Sequence, residues 1–250
     1  HMLPAWPKPR FPIAGNWKMH GLGADLEQAR RVIEAVAARP LGARVALFPP
    51  LTLLERMARI ADGKPVLLGA QTIDESSCEP LTGGVSADMA RDAGASLVIL
   101  GHSERRRAFG ETDAQVADKV RAALGAGLEP IVCVGESAAA RGAGRALAVI
   151  ERQLTGSLPA EAEGRVITIA YEPVWAIGAG KLPSPEDIAY AHQGLRQVLE
   201  RRMGDRARAT EILYGGSVTA GNAKEVLRIA GVGRVLVGGA ALRADDFLPI

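Results

Sequence analysis

Short apolar runs recur along the whole chain and give the first indication of its fold. Each run is too short to be an independent helix, and Val, Ile and Leu predominate in it. Continuous rather than alternating apolarity is typical of strands that are buried on both faces. We therefore predict eight buried strands, at residues 11–14, 45–48, 66–70, 97–100, 131–134, 166–170, 212–214 and 235–237.

Amphipathic helical patterns lie between most of these runs. The clearest predict helices over residues 26–39, 112–127 and 184–204. The last has Ser184 as its N-cap, Pro185 at the first helical position and Gly204 as its terminator. Alternating strands and helices with short, right-handed connections leave two folds, a doubly wound open sheet or a closed (β/α)8 barrel.

Chain length favours the closed barrel. The chain has 250 residues, a typical size for that fold, and no Gly-rich dinucleotide fingerprint follows the first strand. No linker or shift in composition divides it. We predict an α/β protein with a single-domain (β/α)8 barrel over residues 11–250, built from eight parallel strands and outer helices. Residues 1–10 are expected to be an N-terminal extension, in which His1–Met2 look like a cloning scar.

Composition excludes several classes of function. The net charge of +2 argues against nucleic acid as a main partner, and no apolar stretch is long enough for a membrane span. No signal peptide precedes the first strand. Cys78 and Cys133 form no metal-binding or disulfide spacing, which fits a reducing, cytoplasmic compartment. The basic run Arg105–Arg107 is most typical of a solvated or interface surface.

Polar side chains follow the predicted strands at their carboxyl ends. Asn16 and Lys18 follow the first strand, His102 the fourth and Glu172 the sixth. In a barrel these ends share one rim, where catalysis takes place. Lys18 could stabilise an oxyanion, neutral His102 could move a proton, and Glu172 could be a base. A solvated lysine, a structural histidine and an ion-paired glutamate remain the alternatives.

Two glycine clusters follow the last two strands. They read YGGS at 214–217 and VGGAA at 237–241, where backbone N–H groups can approach a phosphate. Two ordinary turns are the alternative. GAGKL at 178–182 resembles the end of a nucleotide-binding P-loop, but Trp175 and Leu182 occupy positions that this motif requires to be Gly and Ser or Thr.

Taken together, these motifs resemble the triosephosphate isomerase family from about Phe11 to the C-terminus. The resemblance is carried by GNWKMHG, GHSERR, YEPVWAIGAGK, YGGSV and LVGGA. It implies catalytic roles for Asn16, Lys18, His102 and Glu172, a contact to Lys18 from Glu104, and phosphate binding by the N–H groups of Gly178, Ser217, Gly238 and Gly239. It also implies an enzyme of glycolysis and gluconeogenesis that needs no cofactor and no metal.

The resemblance further assigns the chemistry. Glu172 would move a proton between two carbons of dihydroxyacetone phosphate and D-glyceraldehyde 3-phosphate, while neutral His102 and Lys18 act on the oxygens. Residues 171–181 would then hold the base and a mobile lid. Glu136 is expected to hold Trp175 in the open lid. The resemblance also implies a homodimer that forms through the loop at 71–86. It further implies a cytoplasmic location.

Four places depart from the family pattern. Pro183 stands where the family has a backbone N–H that bonds the tyrosine of YGGS, here Tyr214, so we expect altered lid closure. Gly84 replaces an acid in the dimerisation loop, Gly233–Arg234 replaces Asp-Gly, and VGGAA replaces VGGAS. Two other functions stay open: an aldolase-type lyase with a Schiff base on Lys18, and a phosphosugar-binding barrel without catalysis.

Overall fold

Eight strands form the centre of the molecule. The computed structural model describes residues 12–39, 44–75, 80–177 and 182–250. The strands are β1 (Pro12–Asn16), β2 (Arg44–Phe48), β3 (Val66–Ala70), β4 (Leu97–Leu100), β5 (Glu129–Val134), β6 (Thr168–Tyr171), β7 (Glu211–Tyr214) and β8 (Leu236–Val237). All eight predicted strands are present. Phe11, where the first was expected to begin, lies outside the described residues.

The strands form a nearly closed barrel. All pairs are parallel, in the order β7-β6-β5-β4-β3-β2-β1-β8. The ring is completed between β7 and β8 by a bridge from Tyr214 to Val235 and by the Tyr214 N–H, which donates to the Arg234 carbonyl at 2.9 Å. The predicted barrel is confirmed, and the open doubly wound sheet is excluded.

Helices surround the barrel. They are α1 (Leu26–Ala38), α2 (Leu51–Ala61), α3 (Ala87–Asp92), α4 (Ser103–Phe109), α5 (Asp113–Gly125), α6 (Ala138–Gly142), α7 (Ala146–Ser157), α8 (Pro185–Met203), α9 (Ala223–Arg228) and α10 (Ala244–Phe247). The three predicted helices correspond to α1, α5 and α8. Ser184 caps α8 by accepting from the Asp187 N–H at 3.1 Å, and Gly204 ends it at φ 59°.

The core has two layers, as the barrel requires. Most buried apolar side chains lie between the sheet and the helices, and a smaller set fills the barrel interior. Phe48 is among the interior side chains, and a Cβ added at Gly69 would lie 2.1 Å from its ring. Glycine at 69 therefore gives that ring its space. Among the described residues, no helix is both long and apolar enough to cross a membrane.

Candidate active site

Lys18 is held in an unusual backbone conformation just past β1. Its φ is 55°, a left-handed value that costs free energy for a residue with a side chain. The Lys18 N–H donates to Asn16 Oδ1 at 2.9 Å, and Gln71 Nε2 donates to the Lys18 carbonyl at 2.8 Å. Asn16, the last residue of β1, therefore stabilises the backbone turn that sets the direction of the Lys18 side chain.

The ammonium of Lys18 contacts Glu104. Lys18 Nζ donates to Glu104 Oε1 at 2.6 Å. Burial alone would raise the pKa of Glu104, but the hydrogen bond and charge of Lys18 outweigh it and lower that pKa. Glu104 is thus a stable anionic partner for the lysine. Because it lies in the first turn of α4, it connects the rim after β1 to the rim after β4.

His102 precedes α4 and caps it with its side chain. Nδ1 accepts from the Glu104 N–H at 3.1 Å, so Nδ1 carries no proton. This assigns the proton of a neutral imidazole to Nε2, which lies 3.1 Å from Glu172 Oε2. The ring therefore presents one N–H to the centre of the rim.

Glu172 follows β6 and is almost completely buried. Oε2 accepts from Ser103 Oγ at 2.9 Å as well as facing His102, while the buried Oε1 has no hydrogen-bond partner among the described residues. Such an oxygen is costly to bury and favours a reactive role. A Cβ added at Gly215 would lie 3.1 Å from Glu172 Cγ and 3.8 Å from Leu236, so the carboxylate packs against the rim between these two residues.

The predicted phosphate-binding residues lie on the same rim. Ser217 Oγ donates to the Ala176 carbonyl at 3.2 Å, beside the start of the predicted lid. A Cβ added at Gly238 would lie 3.8 Å from Lys18 Nζ, whereas one at Gly239 would meet open space. Gly178 lies outside the described residues. Residues after β1, β7 and β8 are thus adjacent, as a shared phosphate and oxyanion site requires.

Trp175, near the start of the predicted lid, is anchored to a buried carboxylate. Glu136 Oε1 accepts from Trp175 Nε1 at 2.9 Å and from the Tyr171 hydroxyl at 2.8 Å. The guanidinium of Arg141 stacks on the Trp175 ring, 4.4 Å from its centre. Burial and the charge of Glu136 raise the pKa of Tyr171, so its hydroxyl stays a donor. The expected contact between Glu136 and Trp175 is present.

Three of the four departures have local counterparts in the structure. The buried Tyr214 hydroxyl has no hydrogen-bond partner among the described residues. Pro183 is buried and follows the predicted lid in sequence. A Cβ at Gly84 would lie 2.9 Å from Asp74 Oδ2, which already accepts from the Val85 N–H. A Cβ at Gly233 would lie 1.6 Å from Glu211 Oε2, so the glutamate side chain occupies the space that a side chain at 233 would take.

Sequence reasoning did not single out Ser103, although it lies between two predicted site residues. Its hydroxyl is the donor that fixes the Glu172 carboxylate. The signal was its place in GHSE, directly after His102, but the contact spans 69 residues and depends on how the barrel closes. Within the described ranges, no group of His, Cys, Asp and Glu side chains could hold a metal ion.

Comparison with known proteins gives a consistent result. The family model for triosephosphate isomerase matches residues 11–250. A triosephosphate isomerase of Caulobacter vibrioides is 51% identical, over 97% of this chain and 96% of its own. A triosephosphate isomerase of Ruegeria pomeroyi is 52% identical, over 95% of this chain and 94% of its own. The crystal structure of triosephosphate isomerase from Bartonella henselae superposes with a TM-score of 0.89 at 42% identity, covering 96% of this chain and 97% of that one.

Proposed function

The chain belongs to the triosephosphate isomerase family, and from this membership we propose how its rim interconverts dihydroxyacetone phosphate and D-glyceraldehyde 3-phosphate. The observation that supports the proposal most strongly is that three functional side chains lie together on this rim. The buried carboxylate of Glu172 faces His102 Nε2 at 3.1 Å, and Lys18 lies on the same rim beside Gly238. A base, a neutral acid and a cation are thereby directed at one substrate.

Glu172 is the proposed base. It takes a proton from the carbon beside the substrate carbonyl, which leaves an enediolate, and it returns a proton to the neighbouring carbon. Because Oε2 is bonded by Ser103 while Oε1 is unpartnered, the carboxylate must leave Ser103 to move fully towards a substrate. A general base of this kind contributes about 10²–10⁴-fold to the rate.

His102 and Lys18 are proposed to act on the two substrate oxygens. The Nε2–H of His102 donates to the carbonyl oxygen and moves the proton between the oxygens as the double bond shifts. The ammonium of Lys18 stabilises the negative charge of the enediolate, in the manner of an oxyanion hole. Asn16 and Glu104 position Lys18. Asn16 accepts from the Lys18 N–H and so holds the backbone turn, and Glu104 accepts from the Lys18 ammonium. Every proton is moved by a side chain, so the proposed reaction uses no cofactor or metal.

Phosphate binding is the proposed source of closure. The N–H groups of Gly178, Ser217, Gly238 and Gly239 would hold the dianion, which lies apart from the reacting carbons. Binding energy gained there can be used to close the lid and to exclude water from Glu172. The contact from Ser217 Oγ to the Ala176 carbonyl supports this, because it already joins the phosphate cluster to the beginning of the lid.

The contact between Lys18 and Glu104 weighs against the lyase. A Schiff base forms on a neutral amine, and a carboxylate 2.6 Å from Nζ favours the charged ammonium. A protein that only binds phosphosugars has no need for a buried carboxylate with an unpartnered oxygen. Both observations favour the isomerase over its two alternatives.

We also propose a homodimer formed through the loop at 71–86, whose residues 76–79 lie outside the described part. Large apolar side chains are exposed in this loop, at Leu81, and just after it, at Met89. Such exposure is typical of an interaction surface. We retain the proposals of one domain over 11–250 and a cytoplasmic location, supported by the single sheet and by the buried free thiol of Cys133.

A coupled assay with D-glyceraldehyde 3-phosphate in D2O tests the proposed function. We expect dihydroxyacetone phosphate as product, with solvent deuterium bound to carbon, because the proton on Glu172 exchanges with solvent. Borohydride added during turnover should leave Lys18 unmodified. Covalent trapping of substrate on Lys18 would support the lyase, and binding without product would support the phosphosugar-binding barrel.

A further inference from the structure

A second pocket lies beside Glu172, on the side of the β4–β6 rim that faces the outer helices. It has a volume of about 380 Å³, within the usual range for small-ligand sites. Helices α4, α6 and α7 form its outer wall. Ser103 and Glu172 line its inner side, whereas Lys18, Ser217, Gly238 and Gly239 do not belong to it. The pocket is therefore separate from the described residues of the proposed phosphate site, and of the catalytic side chains only Glu172 lines it.

The lining of this pocket is strongly basic. Four arginines contribute to it, namely Arg106, Arg107, Arg145 and Arg152, and we call it the arginine pocket. Glu172 is its one acidic lining residue, and that carboxylate is already bonded by Ser103. Clustered guanidinium groups attract anions, and each can bind a phosphate or carboxylate with two hydrogen bonds.

The four arginines differ in how they are held. Arg106 is largely buried and bonded to Asp113 at 2.5 Å and to the Gly101 carbonyl at 2.7 Å. The expectation of a solvated or interface surface for the basic run is therefore wrong for Arg106, whose side chain is bonded inside the protein. Arg107, Arg145 and Arg152 are exposed and, within the described residues, form no hydrogen bond or ion pair through their side chains. Three guanidinium groups are thus available to a ligand.

The wall of the pocket is built from fixed groups. The Gly135 N–H donates to Gln153 Oε1 at 2.8 Å, which connects the end of β5 to α7. Ser137 Oγ accepts from the Ala140 N–H at 3.2 Å at the start of α6, so its own proton stays available to donate. A ligand would therefore meet exposed guanidinium groups together with a preformed polar wall.

We propose that the arginine pocket is an accessory binding site for a small multivalent anion of the pyrophosphate type. Arg107 comes from α4, whereas Arg152 lies on α7 and Arg145 directly precedes that helix. Guanidinium groups from two elements can each bind one charged group of the same ligand, which favours an anion with two charged groups. The site requires no particular role for Glu172, so it stands independently of the proposed catalytic mechanism.

Calorimetric titration with inorganic pyrophosphate in metal-free buffer tests this site. We expect wild-type protein to bind pyrophosphate, and the Arg145→Gln/Arg152→Gln double variant to bind at least about a hundredfold more weakly, since each lost charged hydrogen bond costs about tenfold or more. Arg208→Gln is the matched control, because Arg208 is exposed and lies in the segment after α8, outside the pocket. It should bind like wild type. Thermal unfolding should confirm that all variants are folded.

The two anion sites are distinguished by repeating the titration with saturating dihydroxyacetone phosphate. Binding at the arginine pocket should persist, and in the coupled assay pyrophosphate should not act as a purely competitive inhibitor. Three results would overturn the proposal: no binding to the wild type, equal binding to the double variant, or complete displacement of pyrophosphate by the substrate.

Discussion

At the scale of single residues, the two oxygens of Glu172 have different surroundings. Oε2 lies between Ser103 and His102, while Oε1 has no hydrogen-bond partner within the described residues. One oxygen holds the carboxylate in place, and the other remains available for a proton. Ser103 is therefore a positioning residue, since it acts on the substrate only through Glu172.

Replacing Ser103 by Ala tests this positioning role. A hydrogen bond to a charged group contributes about 1.5–3 kcal/mol, so we expect a comparable loss in the free energy of unfolding at pH 7. Because the carboxylate must leave Ser103 to reach the substrate, the turnover number should change far less than when the base itself is removed, and KM should change little. Urea denaturation and steady-state kinetics measure both effects. Thr112→Ala, which removes the side-chain cap of α5, is the control and should leave turnover unchanged.

At the scale of secondary-structure elements, α8 packs a buried histidine against the barrel. His192 is inaccessible to solvent, and its ring contacts the Tyr171 ring edge-on at 5.6 Å. Nδ1 lies 3.1 Å from the Gly231 carbonyl, and Nε2 has no hydrogen-bond partner among the described residues. Burial lowers the pKa of His192 to about 4. The packing of α8 therefore depends on a neutral imidazole.

This burial predicts a pH dependence of stability. Between about pH 6.5, where an exposed histidine titrates, and about pH 4, the unfolded chain binds a proton that the folded chain does not. The stabilisation is complete above the unfolded pKa and decreases as the pH falls through this window. We expect wild type to lose on the order of 3 kcal/mol more than His192→Phe across it. Urea titrations of both proteins measure the difference, and equal slopes would contradict it.

The elements themselves were predictable because their cause is local. Buried strands produce continuous apolar runs, and caps such as Ser184 and Gly204 mark helix ends. Boundaries were less predictable. Residues 166 and 167 were expected in the sixth strand, yet β6 begins at Thr168 and Val166 is 42% exposed. Strand ends are set by the neighbouring strands in the barrel, which the local pattern does not contain.

The residues of the site were predictable from the sequence, but the contacts between them were not. Lys18, His102 and Glu172 could be placed on one rim because they follow strands, and their motifs resemble a known family. The hydrogen bond from Ser103 to Glu172, the proton on His102 Nε2 and the arginine pocket were not predicted. Each depends on side chains from different elements meeting at specific distances, which only the closed barrel determines.

At the scale of the whole molecule, the barrel closes at its weakest seam. β8 has only two residues, and the chain around it joins β7 through the single Tyr214–Val235 bridge and two backbone hydrogen bonds, from Tyr214 to Arg234 and from Gly233 to Ile212. The pair β4–β5, by contrast, is in register over four residue pairs. Local opening is easiest where few backbone hydrogen bonds must break. The glycine clusters of the proposed phosphate site flank this seam.

Hydrogen exchange monitored by mass spectrometry tests the seam. We expect amides in a peptide covering residues 229–237 to exchange faster than those in a peptide covering 97–100. A phosphate-bearing ligand should slow exchange in the first peptide and leave the second unchanged, because the proposed phosphate site lies at the seam. Equal protection of the two segments in the free protein would show that closure is uniform around the barrel.

The central claim is that Glu172 is the base, and Glu172→Gln tests it most directly. Glutamine keeps the shape of the side chain and can still accept from Ser103, but it cannot take a proton from carbon. We expect kcat to fall by about 10²–10⁴-fold while KM changes by only a few fold. A variant that turns over triose phosphate at nearly the wild-type rate would contradict the account.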